Sequence, residues 1–140
     1  MTQILVIIAA SIFLLLGTLH GAFALRDLKN PRFFTPPDAG LRQAMQESSV
    51  RFHPNINLWK AWLGFNLTHS LGLILFGGAF LHVGIFEPKN FASSLLFQTV
   101  AVFVSAIYMG VSLKFFFSKP AIYSAVGLAC FLIAAGLAHA

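Results

Sequence analysis

Four long apolar runs interrupt the chain, at Ile4–Leu25, Leu58–Leu81, Ala92–Leu113 and Ala121–Ala138. Each holds about the 20 residues with which an α-helix crosses roughly 30 Å of hydrocarbon. Inside lipid no water satisfies a backbone N–H or C=O. A helix satisfies both within one segment, so the pattern predicts four membrane-spanning helices. The segments between the runs carry nearly all the charge, and only the first of them is long.

Composition agrees with this class. Apolar residues make up 58% of the chain and charged residues 9%, with a mean hydropathy of +0.82. That leaves too little polar surface for a soluble domain of this length, and residues 1–140 read as a single domain. Cys130 is the only cysteine, which excludes an intrachain disulfide and a cysteine-rich zinc site; deep in the last run it reads as a packing thiol. Ala22-Phe-Ala24 mimics a signal-peptide cleavage site. However, no basic residue precedes the first run, and the run exceeds the usual limit of about 15 residues for a signal core. Arg26, Lys29 and Arg32 follow it, so a retained helix is expected.

Basic residues set the expected orientation. Arg26, Lys29, Arg32, Arg42, Arg51 and Lys60 lie on or beside the first loop, and Lys114 and Lys119 flank the third. Only Lys89 lies on the other side. The positive-inside rule then places loops one and three in the cytoplasm and both termini outside. Trp59 and Trp62 suit the cytoplasmic interface. The net charge of +5 comes from residues dispersed along a membrane-proximal loop. That arrangement fits anionic lipid headgroups and argues against a nucleic-acid partner.

Within the first loop, Pro31, Pro36, Pro37 and Pro54 break regular structure. Asp38 reads as an N-cap, followed by Leu41, Ala44 and Met45 at helical spacing. A short amphipathic helix is expected there, lying on the membrane surface or folded as a lid over the bundle. The fold class is therefore all-α: a four-helix transmembrane bundle with a long cytoplasmic first loop carrying a short amphipathic helix.

Candidate chemistry lies where polar residues enter the hydrocarbon. Gly17 and Gly21 allow close backbone approach on helix one, with His20 beside that face. Trp59, Trp62, Asn66 and His69 share one stripe of helix two at about 100° per residue. Ser105, Tyr108 and Ser112 share one on helix three. Taking about 1.5 Å of rise per residue, His20 and Tyr108 lie about 8 Å and Asn66 about 12 Å from the cytoplasmic ends of their runs, with His69 about 4 Å deeper. The expectation is a polar pocket in the cytoplasmic half, with His20, Asn66, His69, Tyr108 and Trp62 as ligand-binding residues. His20 and His69 are the candidate metal or haem ligands. A His–Tyr pair can also transfer protons, while the plainest alternative is hydrogen bonding between helices. No Asp or Glu lies within the four runs, which argues against a cation transporter or a di-iron carboxylate site. His53, His82 and His139 read as loop, helix-end and terminal residues, and Gln98 as a hydrogen-bonding group between helices.

Gly17-Thr-Leu-His20 and Trp59-Lys-Ala-Trp-Leu-Gly-Phe-Asn-Leu-Thr-His-Ser70 resemble a group of small bacterial four-span membrane proteins over most of the chain. The resemblance implies a bacterial inner membrane and transfers no activity. The chain is also similar in size and layout to membrane-associated eicosanoid and glutathione metabolism proteins, which assemble as trimers. Arg51-Phe-His-Pro-Asn55 resembles the first part of their glutathione motif, but no Glu follows and Pro54 interrupts what should be helix. The function expected is binding of a hydrophobic or amphipathic ligand, such as a lipid, within the bundle. The alternatives are an accessory subunit of a larger membrane complex or a homo-oligomer, a His-ligated metal or haem enzyme, and a glutathione-dependent enzyme.

Overall fold

The computed structural model describes residues 1–51 and 53–139. Six helices and one small hairpin follow in order: α1 Thr2–Lys29, α2 Ala39–Glu47, β1 Ser49–Val50, β2 His53–Asn57, α3 Leu58–Phe86, α4 Pro88–Ser93, α5 Leu95–Phe115 and α6 Ser118–Ala138. The fold class is all-α, and α1, α3, α5 and α6 are long and apolar enough to cross a membrane. Asp38 caps α2, its carboxylate accepting the Gly40 N–H at 2.8 Å. Asn57 caps α3 by accepting the Lys60 N–H at 2.9 Å.

Several helix boundaries differ from those expected, and α3 runs five residues past Leu81, to Phe86. α1 continues four residues past Leu25, to Lys29, because hydropathy marks where lipid ends and not where helical hydrogen bonding ends. The third long helix starts at Leu95, not Ala92. Pro88 opens the separate α4, and extended Ser94 breaks the chain before capping α5 through the Phe97 N–H. The first loop also contains the antiparallel hairpin, in which Ser49 pairs with Asn57 and Val50 with His53. Arg51 lies in its turn and Asn55 in β2, so neither has the helical placement that the glutathione motif requires. Phe52 of that motif lies outside the described residues.

Contacts gather the chain into two compact units. One joins residues 1–16 to residues 73–139 and contains the main core: Val6, Ala9, Ala10, Phe13, Leu73, Phe80, Val83, Phe91, Ala101, Phe131 and Ala134. Phe13 meets Phe76 edge-on at 5.1 Å and Phe131 in a stacked arrangement at 6.4 Å. Small residues admit these rings and the backbones that carry them. A β-carbon at Gly77 would stand 2.4 Å from the Leu14 nitrogen and 2.8 Å from the Ala10 oxygen, and one at Gly127 would stand 2.6 Å from the Phe13 ring. Such approach replaces hydrophobic burial as the source of helix cohesion where lipid is already apolar. Gln98, buried on α5, donates to the carbonyls of Phe91 and Ala92 at 3.0 Å and accepts from His139 Nε2 at 2.8 Å. Cys130 packs against the core as a half-buried thiol.

The other unit, residues 17–72, holds the later part of α1, the long loop and the start of α3. On α1 the buried residues Gly17, Gly21, Ala24 and Asp27 form one face. A β-carbon at Gly21 would lie 3.2 Å from the Ser70 β-carbon, which is the close approach expected of this glycine.

The two adjacent glycines of α3 should respond oppositely to alanine. Gly77→Ala places a methyl against fixed backbone and should lower stability by about 1–3 kcal/mol, the range for overpacking. Gly78 has open space around it, so Gly78→Ala should be neutral or gain up to about 1 kcal/mol of helix propensity. Thermal unfolding in mild detergent reads both, and equal melting of the two variants would contradict the packing.

Candidate functional site

The unit formed by residues 17–72 brings two of the expected polar residues, Asn66 and His69, against a third, His20. His20 Nε2 lies 3.0 Å from Asn66 Oδ1. The Asn66 amide is oriented by its own nitrogen, which donates to the Trp62 carbonyl at 2.8 Å. Oδ1 therefore accepts, Nε2–H of His20 donates, and the lone pair of the imidazole resides on Nδ1. The His69 ring stands edge-on to His20 at 5.1 Å, and Phe65 stacks on His69 at 6.1 Å. Phe34 covers His20 at 4.5 Å. Helix geometry accounts for the meeting: measured from Lys29 rather than Leu25, His20 is about 13 Å from its helix end, level with Asn66 at about 12 Å from Leu58.

Tyr108 belongs to the other unit, where its ring packs 6.0 Å from Phe13 and 6.4 Å from Phe76. The stripe of helix three gave its face correctly, but periodicity does not name the neighbour. Trp62, on the same stripe as Asn66 and His69, lies at the surface of this unit. It is 37% exposed, and its indole N–H donates to the Phe34 carbonyl at 2.9 Å.

That bond ties the loop to α3, and a second anchor ties it to α1. Asp27, 1% exposed, accepts the N–H groups of Arg32 and Phe33 on Oδ1 at 2.9 Å each, and that of Phe34 on Oδ2 at 2.6 Å. The Thr35 hydroxyl adds a fourth bond at 3.2 Å. An ionised carboxylate, an acceptor only, suits four converging donors. Sequence reasoning missed Asp27 because α1 was ended at Leu25. The signal was present: Asp27 lies seven residues from His20 and so on nearly the same helical face.

The anchored loop forms an open groove of about 420 Å³ lined by Phe33, Phe34, Thr35, Pro36, Met45 and Trp62. Of the expected ligand-binding residues, Trp62 lines it, and Phe34, another of its walls, contacts His20. A second cleft of about 360 Å³ shares Thr35 and Pro36 and is flanked by Arg32 and Arg42. Helix α2 lies alongside, with Leu41 and Ala44 exposed and Met45 half-buried. Among the described residues, no group of three or more His, Cys, Asp or Glu side chains is gathered in a metal-holding arrangement. No protein-family model, curated protein or solved structure matches the chain.

Asp27→Asn replaces one acceptor oxygen by a donor and leaves at least one loop N–H unsatisfied. A hydrogen bond to a charged group contributes about 1.5–3 kcal/mol, so local opening of the loop should become roughly ten- to a hundredfold more frequent. Amide hydrogen exchange at Arg32, Phe33 and Phe34 measures this. Unchanged protection would show that the carboxylate does not hold the loop.

Proposed function

We propose that the chain is a multi-pass protein of a bacterial inner membrane that binds a hydrophobic or amphipathic small molecule in the loop groove. Loops one and three face the cytoplasm in this reading, and the termini lie opposite, as the distribution of Lys and Arg favours. The Gly17–His20 and Trp59–Ser70 resemblance supports the bacterial setting.

One observation carries the binding reading: Phe34 contacts the His20 ring at 4.5 Å and is also a wall of the groove. An apolar surface thus lies directly against a fixed polar cluster. Small-molecule sites typically combine apolar walls with a few oriented polar groups in about 300–1,000 Å³. Phe33, Met45 and Trp62 supply apolar surface, and the loop is held before any ligand arrives.

Trp62 provides the test. Brominated-acyl phosphatidylcholine titrated into protein in detergent should quench its emission with a saturable component, which Trp62→Phe removes. Burial of a side chain the size of Met is worth about 1.5–3 kcal/mol. Met45→Asp should therefore weaken the saturable component by about tenfold or more. Quenching that only rises with lipid content, and is indifferent to Met45→Asp, would count against the groove.

A second reading is favoured by the imidazole pair. Two imidazoles bound to one ion at about 2.0–2.1 Å, with a tetrahedral angle, place their centroids about 5 Å apart. His20 and His69 stand at 5.1 Å, and His20 carries its lone pair on Nδ1. Under this reading, protein dialysed against Zn²⁺ retains the metal on elemental analysis and loses it in His20→Ala and in His69→Ala. Equal retention by the three proteins would dismiss the pair as ligands.

A further inference from the structure

Arg32 and Arg42 flank the cleft that shares Thr35 and Pro36 with the apolar groove. Arg32 belongs to the loop anchored by Asp27, and Arg42 lies in the first turn of α2, where its N–H donates to the Asp38 carbonyl. Among the described residues neither guanidinium forms an ion pair. The acidic side chains of this unit have other partners. Asp27 is filled by four loop donors, Asp38 accepts from Gly40, and Glu47 accepts from Gln43 at 2.8 Å. Arg32 also stands 5.8 Å over the Phe33 ring, a wall of the groove. Uncompensated cations therefore border an apolar channel, with two residues common to both.

We propose that Arg32 and Arg42 bind the phosphate of an anionic glycerophospholipid while one of its acyl chains lies along Phe33, Phe34, Met45 and Trp62. This deepens the ligand-binding reading above and rests on it. Planar guanidinium groups match phosphate oxygens, with two N–H donors reaching two oxygens where the approach allows. Two such groups on separate elements, the loop and α2, define a position for the headgroup instead of a diffuse charged surface. Continuity with the groove favours a lipid over a free anion, because a free phosphate would leave the apolar walls unused. The exposed Leu41 and Ala44 of α2 give that helix an apolar edge suited to the headgroup boundary.

The test uses the full chain in nanodiscs of phosphatidylcholine containing a minor fraction of phosphatidylglycerol, followed by native mass spectrometry of the released protein. Selective retention of phosphatidylglycerol is expected. The double variant Arg32→Gln/Arg42→Gln should lose it on the order of tenfold or more, given the contribution of each basic group near an anionic surface. Lys29→Gln/Arg51→Gln removes the same charge away from the cleft and should leave selectivity in place. Equal loss in both double variants, or no selectivity in the unaltered chain, overturns the proposal. Saturable Trp62 quenching by brominated phosphatidylcholine, measured on the same samples, then shows separately whether the groove still binds an acyl chain. Inorganic phosphate that binds as tightly as the lipid, and depends on the same arginines, would also overturn the proposal by reassigning the cleft to a free anion.

Discussion

The carboxylate of Asp27, buried in the last turn of α1, receives the N–H groups of Arg32, Phe33 and Phe34 and the hydroxyl of Thr35. A helix C-terminus carries partial negative charge, so a carboxylate there is unfavourable unless donors compensate it. The loop supplies them by reversing direction immediately after Asn30. The arrangement is reciprocal: burial of the charge requires the loop, and the loop takes its shape from the charge. Phe33 and Phe34 are thereby presented on fixed backbone. Their rings go on to stack with Phe23 at 4.4 Å and to cover His20 at 4.5 Å. Both the groove and the Arg32 side of the adjoining cleft follow from this one anchored stretch of chain.

The unit built on Phe13 is held together by different means. Its stabilising contacts are aromatic edges and glycine clearances, with Gly77, Gly84 and Gly127 each admitting a neighbour that a methyl would strike. Lipid tails surround the outer side chains as readily as protein would, so burial alone gives these helices little reason to associate. Close backbone approach and ring contacts do, since they maximise dispersion at fixed separation. The polar bonds of Gln98 add direction at one end, fastening α4 to α5 and reaching His139.

Much of the architecture was legible because lipid imposes a long, simple signal. Leu58 and Ala138 ended their helices where hydropathy placed them, and Asp38 capped α2 as its side chain predicts. What escaped was written in short-range or cross-chain interactions. A charged residue after an apolar run resembles a terminus, so Asp27 was set outside the helix although helical hydrogen bonding continues to Lys29. The hairpin at Ser49–Val50 and His53–Asn57 is too short to show a period of two. Within the candidate site, helical spacing correctly grouped Asn66 and His69 on one stripe. It did not name the neighbours of Tyr108, which packs on Phe13 and Phe76. The groove walls Phe33 and Phe34 carry no periodic signal, because a hydrogen-bonded turn sets their directions.

The polar cluster beneath Phe34 has a consistent physical character. It is composed of neutral groups, an amide and two imidazoles, whose burial in apolar surroundings costs far less than that of carboxylates or ammonium ions. Its order runs in one direction: the Trp62 carbonyl orients the Asn66 amide, and the amide selects the proton position on His20. The backbone carbonyl of Asn66 in turn accepts from the Ser70 hydroxyl one turn on, at 2.7 Å. A pair serving only to join two helices would need one hydrogen bond between them. Here that bond is made by a residue whose other bond is to its own helix backbone, and it leaves the second nitrogen of an imidazole that Phe34 covers as an acceptor. The cluster therefore does two things at once: it links α1 to α3, and it fixes the tautomer of an imidazole whose ring is in contact with Phe34.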